Sequence, residues 1–177
     1  PFENIIRISS ERGRRNLNKE EFESCYNRHF DFVYRLSFTY VKNPADAEDV
    51  AQETFVRLYR QEGEFASEEH VRRWLLRVAI NLSKDHLRSR WNQKRQEFDE
   101  NMPEEVFGWQ EAQKEIWQEV AALPEKYRLV LYLYYYEGYS VREIGQILRC
   151  SISAVKMRLK RGREKLRESL EPGVVGF

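Results

Sequence analysis

The sequence predicts an all-α protein: two small helical domains joined by a flexible acidic linker, the C-terminal one a helix-turn-helix. Three observations carry this reading. Apolar residues recur at helical spacings of three, four and seven through most of the 177 residues. No pair of alternating segments remains that would build a sheet. Charge is sorted into blocks, although the net charge is only +1. Eight acids against two bases fill 44–69, eight bases against one acid fill 70–95, and eight acids against one base fill 96–120. The last third is basic. Such sorting suggests distinct faces for distinct partners.

Residues 1–19, with Arg12, Arg14 and Arg15 among Ser9, Ser10 and Gly13, lack periodicity and read as a flexible tail. From Glu20 to Val41, the residues Phe22, Tyr26, Phe30, Val33, Leu36 and Tyr40 line one helical face. Asn43-Pro44 breaks that helix, and Pro44 suits the first turn of the next, about 44–61. This second helix buries Val50, Phe55, Leu58 and Tyr59, displays its acids, and stops at Gly63. A third helix, Glu68 to about Arg95, buries Val71, Trp74, Leu75, Val78, Ala79 and Leu82. The period is lost over 96–112, which holds Pro103 and Gly108 and reads as the linker. These breaks place the domains at 20–95 and 113–171, with a short tail at 172–177.

The second domain opens with a helix over Gln113–Ala122, and Leu123-Pro124 starts another. The run LVLYLYYY at 129–136 has the composition of a strand. A helix is favoured because Tyr127, Val130, Leu131 and Tyr134 share one helical face, with Pro124 ahead and Gly138 as a stop. Then Val141, Ile144, Ile147 and Leu148 form one apolar face, Arg149-Cys150-Ser151 break it, and Ile152, Val155, Leu159 and Leu166 resume it. Gly145 suits the close crossing of two such helices. Outward on the second helix stand Lys156, Arg158, Lys160, Arg161, Arg163, Lys165 and Arg167, opposed over that stretch by Glu164. A run of charge is usually a solvated face. Seven bases on one helix directly after a helix-turn pattern favour a recognition helix on DNA.

Enzyme motifs are lacking. There is no phosphate-binding glycine loop, no GxSxG and no HExxH. Asp46, Asp49 and Glu53 run along one exposed helix face, which suits docking better than a metal, and neither a cofactor nor a metal is expected. His70 and His86 read as DNA-facing or solvated rather than catalytic. Cys25 and Cys150 lie far apart with no CxxC, which fits small core residues in a reducing compartment. No run approaches a membrane span and the N-terminus lacks a signal-peptide core, so the chain is expected to be soluble and cytoplasmic, without membrane insertion.

Two stretches go further. ADAEDVAQETFVRLYR followed by EFASEEHVRRWLLRVAINLSKDHLRSR resembles the core domain of an extracytoplasmic-function sigma factor of bacterial RNA polymerase. Leu123-Pro124, Tyr127-Arg128 and the helix-turn-helix resemble the matching C-terminal domain, so the likeness spans about 20–170 in the right order. It implies a non-enzymatic initiation factor. Its partners would be core polymerase, through the β′ clamp helices and the β flap, promoter DNA, and an anti-sigma factor.

By resemblance, Asp49, Gln52 and Glu53 occupy positions that contact the β′ clamp. The loop from Phe65 to His70 would capture a flipped base of the −10 element, and Asn81, Lys84 and Asp85 match positions that meet the same element. Arg72, Arg73, Arg77, Lys84, Arg88 and Arg90 would supply a phosphate track for melted strand, while Trp74 is assigned to the core. Lys156, Met157, Lys160 and Arg161 should face bases of the −35 duplex, with Arg158 and Arg163 on phosphates. Met157 and Lys160 depart from the residues usual there, so the preferred sequence is not legible. The alternative is a stand-alone helix-turn-helix regulator, which would need no polymerase and would normally dimerise.

Overall fold

The computed structural model describes residues 18–61, 65–92 and 111–170. Its elements are α1 (Lys19–Val41), α2 (Pro44–Tyr59), α3 (Glu68–Asn92), α4 (Glu111–Ala122), α5 (Glu125–Leu131), a π-helical turn (Tyr132–Tyr136), α6 (Val141–Leu148) and α7 (Ile152–Leu170). No strand occurs among the described residues. The chain divides into two compact units, residues 1–106 and 107–177. The N-terminal tail through residue 17, Gly63, the linker through residue 110 and the C-terminal tail lie outside the described residues. Glu111 and Ala112, expected in the linker, already belong to α4.

In the first unit, α1, α2 and α3 pack mutually. Asn18 opens α1 with a capping box: its side chain accepts from the Glu21 N–H at 2.8 Å, and the Glu21 carboxylate accepts from the Asn18 N–H at 3.0 Å. Both α2 and α3 cover the far half of α1, so from Phe32 to Val41 every residue except Arg35 is buried. Buried Ser37 and Thr54 return their hydroxyls to the carbonyls of Val33 and Val50, each at 2.8 Å, so they add no unpaired donor to the core. The next helix begins where Asn43 accepts from the Asp46 N–H at 3.0 Å and Pro44 takes the first turn.

The buried face of α3 is Leu75, Leu76, Ala79, Ile80 and Ser83. Against expectation, Val71, Trp74, Val78 and Leu82 are half-buried. The true stripe is rotated by about one residue, or ~100°. Trp74 and Val78 lie beside the buried stripe, Trp74 against the Phe65 ring.

In the second unit, seven consecutive residues, Tyr127–Leu133, are buried. Arg128 among them is 5 % exposed, and its Nη1 donates to the carbonyls of Ala121 at 2.9 Å and Leu123 at 2.8 Å. It thereby satisfies acceptors left open where α4 ends. The tyrosine run is helical, as expected, but its last turn is π-helical, closed by the Glu137 N–H on the Tyr132 carbonyl at 3.1 Å. The wider turn slips the period, so Tyr134, expected on the buried face, is exposed along with Tyr135 and Tyr136. Gly138 ends the run at φ +72°, a left-handed conformation that favours glycine.

Candidate protein and nucleic-acid interfaces

The acidic face of α2 is narrower than its sequence suggests. Asp46 turns aside and pairs with His86 of α3 at 3.2 Å, so His86, read as DNA-facing or solvated, is a half-buried bridge between helices. The outward group is Glu48, Asp49, Gln52 and Glu53. Gln52 Nε2 donates to Glu48 at 3.0 Å, and Glu53 accepts from Arg57 Nε at 3.0 Å. Asp49 is exposed between them. An exposed acidic surface whose side chains are partly held by their neighbours is suited to Arg or Lys of a protein partner. Among the described residues no group of three or more His, Cys, Asp or Glu side chains converges as metal ligands would.

On α3 the side chains of His70, Arg73, Arg77, Asn81, Lys84 and Arg88 succeed one another at intervals of three and four, forming one stripe along the side away from the buried face. Arg73 is steadied by Glu69 at 2.9 Å, and Arg88 lies 3.9 Å from Asp85. Arg77, Asn81 and Lys84 are exposed. Arg72 leaves the expected track: its guanidinium lies over the Phe32 ring of α1, 4.4 Å from the centroid. Of Arg90 only the backbone is described.

An aromatic cluster heads the stripe. Phe65 is half-buried, and its ring meets His70 edge-on at 5.4 Å and Trp74 edge-on at 5.8 Å. The cluster is ordered by the helix start. Ser67 accepts the His70 N–H on its hydroxyl at 3.2 Å, its carbonyl accepts the Val71 N–H at 3.1 Å, and His70 Nδ1 accepts the Ala66 N–H at 3.3 Å. Sequence reasoning placed Trp74 in the core. Its spacing from Phe65 and His70 was the signal that an aromatic platform stands there instead.

In the helix-turn-helix, Ser140 and Glu143 form the capping box of α6, and Arg149 takes a left-handed φ of 52° in the turn. A Cβ on Gly145 would lie 3.0 Å from the Cys150 carbonyl oxygen, which explains the small residue at the crossing. Ser151 then caps α7, accepting from the Ala154 N–H at 3.1 Å. Val155, Leu159 and Gly162 face inward. Ile152, expected inward, is 47 % exposed because it occupies the first position of α7. Met157, Lys160 and Arg161 lie on the face away from the core, with Lys160 3.8 Å from Glu164.

Lys156 and Arg163 stand on one flank of that face and Arg158 on the other. Arg158 is half-buried and directs Nη1 at Cys150 Sγ, 3.8 Å away. Arg163 Nη1 donates to the Tyr135 hydroxyl at 3.2 Å, which raises the guanidinium further above its ordinary value. Burial pushes the Tyr127 phenol up, but the hydrogen bond from Arg161 and the charge of Lys126 outweigh it and hold the group below its ordinary range.

One surface in this unit was not anticipated. A groove of about 400 Å³ opens between α4, the π-helical turn and α7, lined by Ile116, Trp117, Val120, Tyr132, Tyr135 and Leu166. Ile116 and Tyr135 are more than half exposed. No single stretch of sequence announces it, because its walls come from segments far apart in the chain.

Fold and faces together define a two-unit helical protein of the DNA-binding kind, with a helix-turn-helix and an exposed acidic face. Comparison with known proteins narrows this. The family described as Sigma-70 region 2 matches residues 25–93, and Sigma-70, region 4, matches residues 113–166. The chain is 31% identical to the ECF RNA polymerase sigma factor SigW of Bacillus subtilis, over 86% of this chain and 90% of that protein. It is 30% identical to the RNA polymerase sigma-H factor of Pseudomonas aeruginosa, over 88% and 89%. Its fold is shared with the sigma factor RpoE, solved in complex with the anti-sigma factor NepR from Bartonella quintana (TM-score 0.72, 19% identity, 85% of this chain and 97% of that one). It is shared also with CnrH in complex with the cytosolic domain of CnrY (TM-score 0.62, 22% identity, 97% of each).

The chain belongs to the extracytoplasmic-function sigma factors of the sigma-70 family. It is a transcription initiation factor that works with RNA polymerase and promoter DNA, and the stand-alone regulator is not favoured.

Proposed function

We propose that the three faces divide the work of promoter recognition. The unit around 20–95 binds polymerase and the −10 element, 96–112 links, and 113–171 binds the −35 element. Asp49, Gln52 and Glu53 dock on the β′ clamp helices. Phe65, His70 and the bases Arg73, Arg77, Lys84 and Arg88, with Asn81, take the melted −10 strand, a flipped base entering the aromatic cluster and phosphates following the stripe. Lys156, Met157, Lys160 and Arg161 read −35 base edges, while Arg158 and Arg163 meet phosphates from the two flanks.

The groove beside α4 is suited to an apolar helix of the β flap. An anti-sigma factor would hold the protein inactive by covering these surfaces, in keeping with the NepR complex of the similar RpoE. The protein is not an enzyme and acts in the cytoplasm; no helix among the described residues is long and apolar enough to cross a membrane.

The observation that carries this reading is the single stripe on α3, headed by an aromatic platform. The test is co-elution with bacterial core RNA polymerase beside the Asp49→Lys/Glu53→Lys double variant. Stoichiometric binding by the wild type, lost in the variant, supports the docking assignment. Equal binding by both moves docking away from α2.

A further inference from the structure

The start of α3 carries two charged side chains, Glu68 and Arg72, that reach α1. Glu68 accepts from buried His29 Nε2 at 2.6 Å through one carboxylate oxygen and from Arg28 Nη1 at 2.8 Å through the other. One turn on, Arg72 lies over Phe32 at 4.4 Å. His29 and Phe32 are three apart on α1, and Glu68 and Arg72 four apart on α3, so the contacts form two successive rungs between the helices. His29 is only 4 % exposed. Burial holds its imidazole below the ordinary value despite the pull of Glu68, so it is neutral near pH 7. A carboxylate only accepts, which places the imidazole proton on Nε2.

We infer that these rungs are a positioning device for the −10 pocket: they fix the first turn of α3 on α1 and thereby set the Phe65–His70–Trp74 platform. The inference rests on the proposed role of that platform in base capture. The platform is tied to the start of α3 by several contacts. Phe65 leans on His70 and Trp74, and His70 and Ala66 are tied to the Ser67 cap and to each other. Phe65, Ala66 and His70 are thus held at the first turn of α3, with Trp74 one turn on. Glu68, next to the cap, is therefore where a short charge-assisted hydrogen bond has most leverage over the pocket. His29 is accordingly a positioning residue and need not touch DNA.

The test uses the full chain as wild type and as His29→Ala, His29→Gln, Glu68→Ala and Phe65→Ala. Glu68 is about half exposed, so its variant keeps the fold even where His29→Ala does not. Two quantities are read: amide hydrogen exchange over 65–73 in the free protein, and base preference when reconstituted holoenzyme selects from a promoter library randomised at −10 and −35. Expected for His29→Ala and Glu68→Ala is exchange faster by about tenfold, the size of one lost charge-assisted bond. The −10 preference should flatten while the −35 preference is kept. Gln at position 29, which still offers a donor, restores both.

A merely structural role would weaken both elements alike and would overturn the inference. So would unchanged exchange in Glu68→Ala. Phe65→Ala separates the layers. If it leaves the −10 preference intact, the pocket itself is misplaced. If it flattens the preference while Glu68→Ala does not, only the positioning role fails.

Discussion

The guanidinium of Arg72 stacks on Phe32, 4.4 Å from the ring centroid, while its neighbour Arg73 pairs with Glu69 on the open side of the same helix. The bases of α3 are therefore of two kinds, one holding the unit together and the other available to nucleic acid. Arg72→Ala should cost about 1 kcal/mol of stability in a urea titration, through the lost stacking and packing of its stem. Arg77→Ala should leave the urea midpoint in place. It should instead reduce the salt dependence of holoenzyme binding to single-stranded −10 DNA by about 0.7 in log–log slope.

The His29–Glu68 pair predicts how the first unit responds to acid. Burial lowers the His29 value from 6.5, whereas Glu68 raises it and Arg72 and Arg28 lower it further. The unfolded chain then takes up this proton first. Stability is full above pH 6.5 and falls as pH drops below it, until His29 titrates in the folded state too. For Glu68, burial raises the carboxyl but hydrogen bonds from Arg28 and His29 bring it below 4.5, so its contribution is lost only at more acid pH. Thermal melts from about pH 2.5 to 8 should show two regions of slope, and His29→Gln should erase the upper one.

Gly162 is buried where α7 crosses α5, and a Cβ there would meet Leu131 Cδ1 at 3.0 Å. Gly162→Val should force the helices apart and cost about 1–3 kcal/mol. Amide hydrogen exchange over 125–133 along a denaturant series reads this. Gly138→Ala meets no atom within 4 Å, yet should still cost ~1 kcal/mol through its φ of +72°.

Lys160 lies on the open face of α7 with only a 3.8 Å partner in Glu164. Lys160→Ala should relax preference at one −35 position by about 1–3 kcal/mol if it meets a base edge. Uniform weakening across sequences, with a salt slope lower by about 0.9 on duplex, would instead assign it to a phosphate. Competition binding with single-base −35 variants distinguishes the two.

The helix breaks were legible because Asn43, Pro44 and Gly138 are local signals acting within a few residues, whereas the Asn18 cap of α1 was taken for part of the tail. Rotation about a helix axis was less so. The inward face of α3 depends on what α1 and α2 present to it, and Trp74 weighs the sequence pattern toward the wrong side. The π-helical turn was hidden for a similar reason, since a period of 3.6 carries Tyr134 inward and the wider turn does not. At the interfaces, residue type and spacing placed the α3 stripe. They did not reveal that Arg72, Asp46 and His86 are spent on bridging helices. The apolar groove was invisible because its walls come from segments far apart in sequence.

The seven buried residues from Tyr127 to Leu133 have a consequence for handling the protein. With the tyrosines that follow, LVLYLYYY is uncharged, rich in β-formers and free of proline and glycine, the composition of a segment that stacks into cross-β aggregates once exposed. Its helical state lasts only while α4 and α7 cover it. Truncations or substitutions that loosen the second unit will therefore show themselves first as precipitation, well before any change in promoter choice is measured.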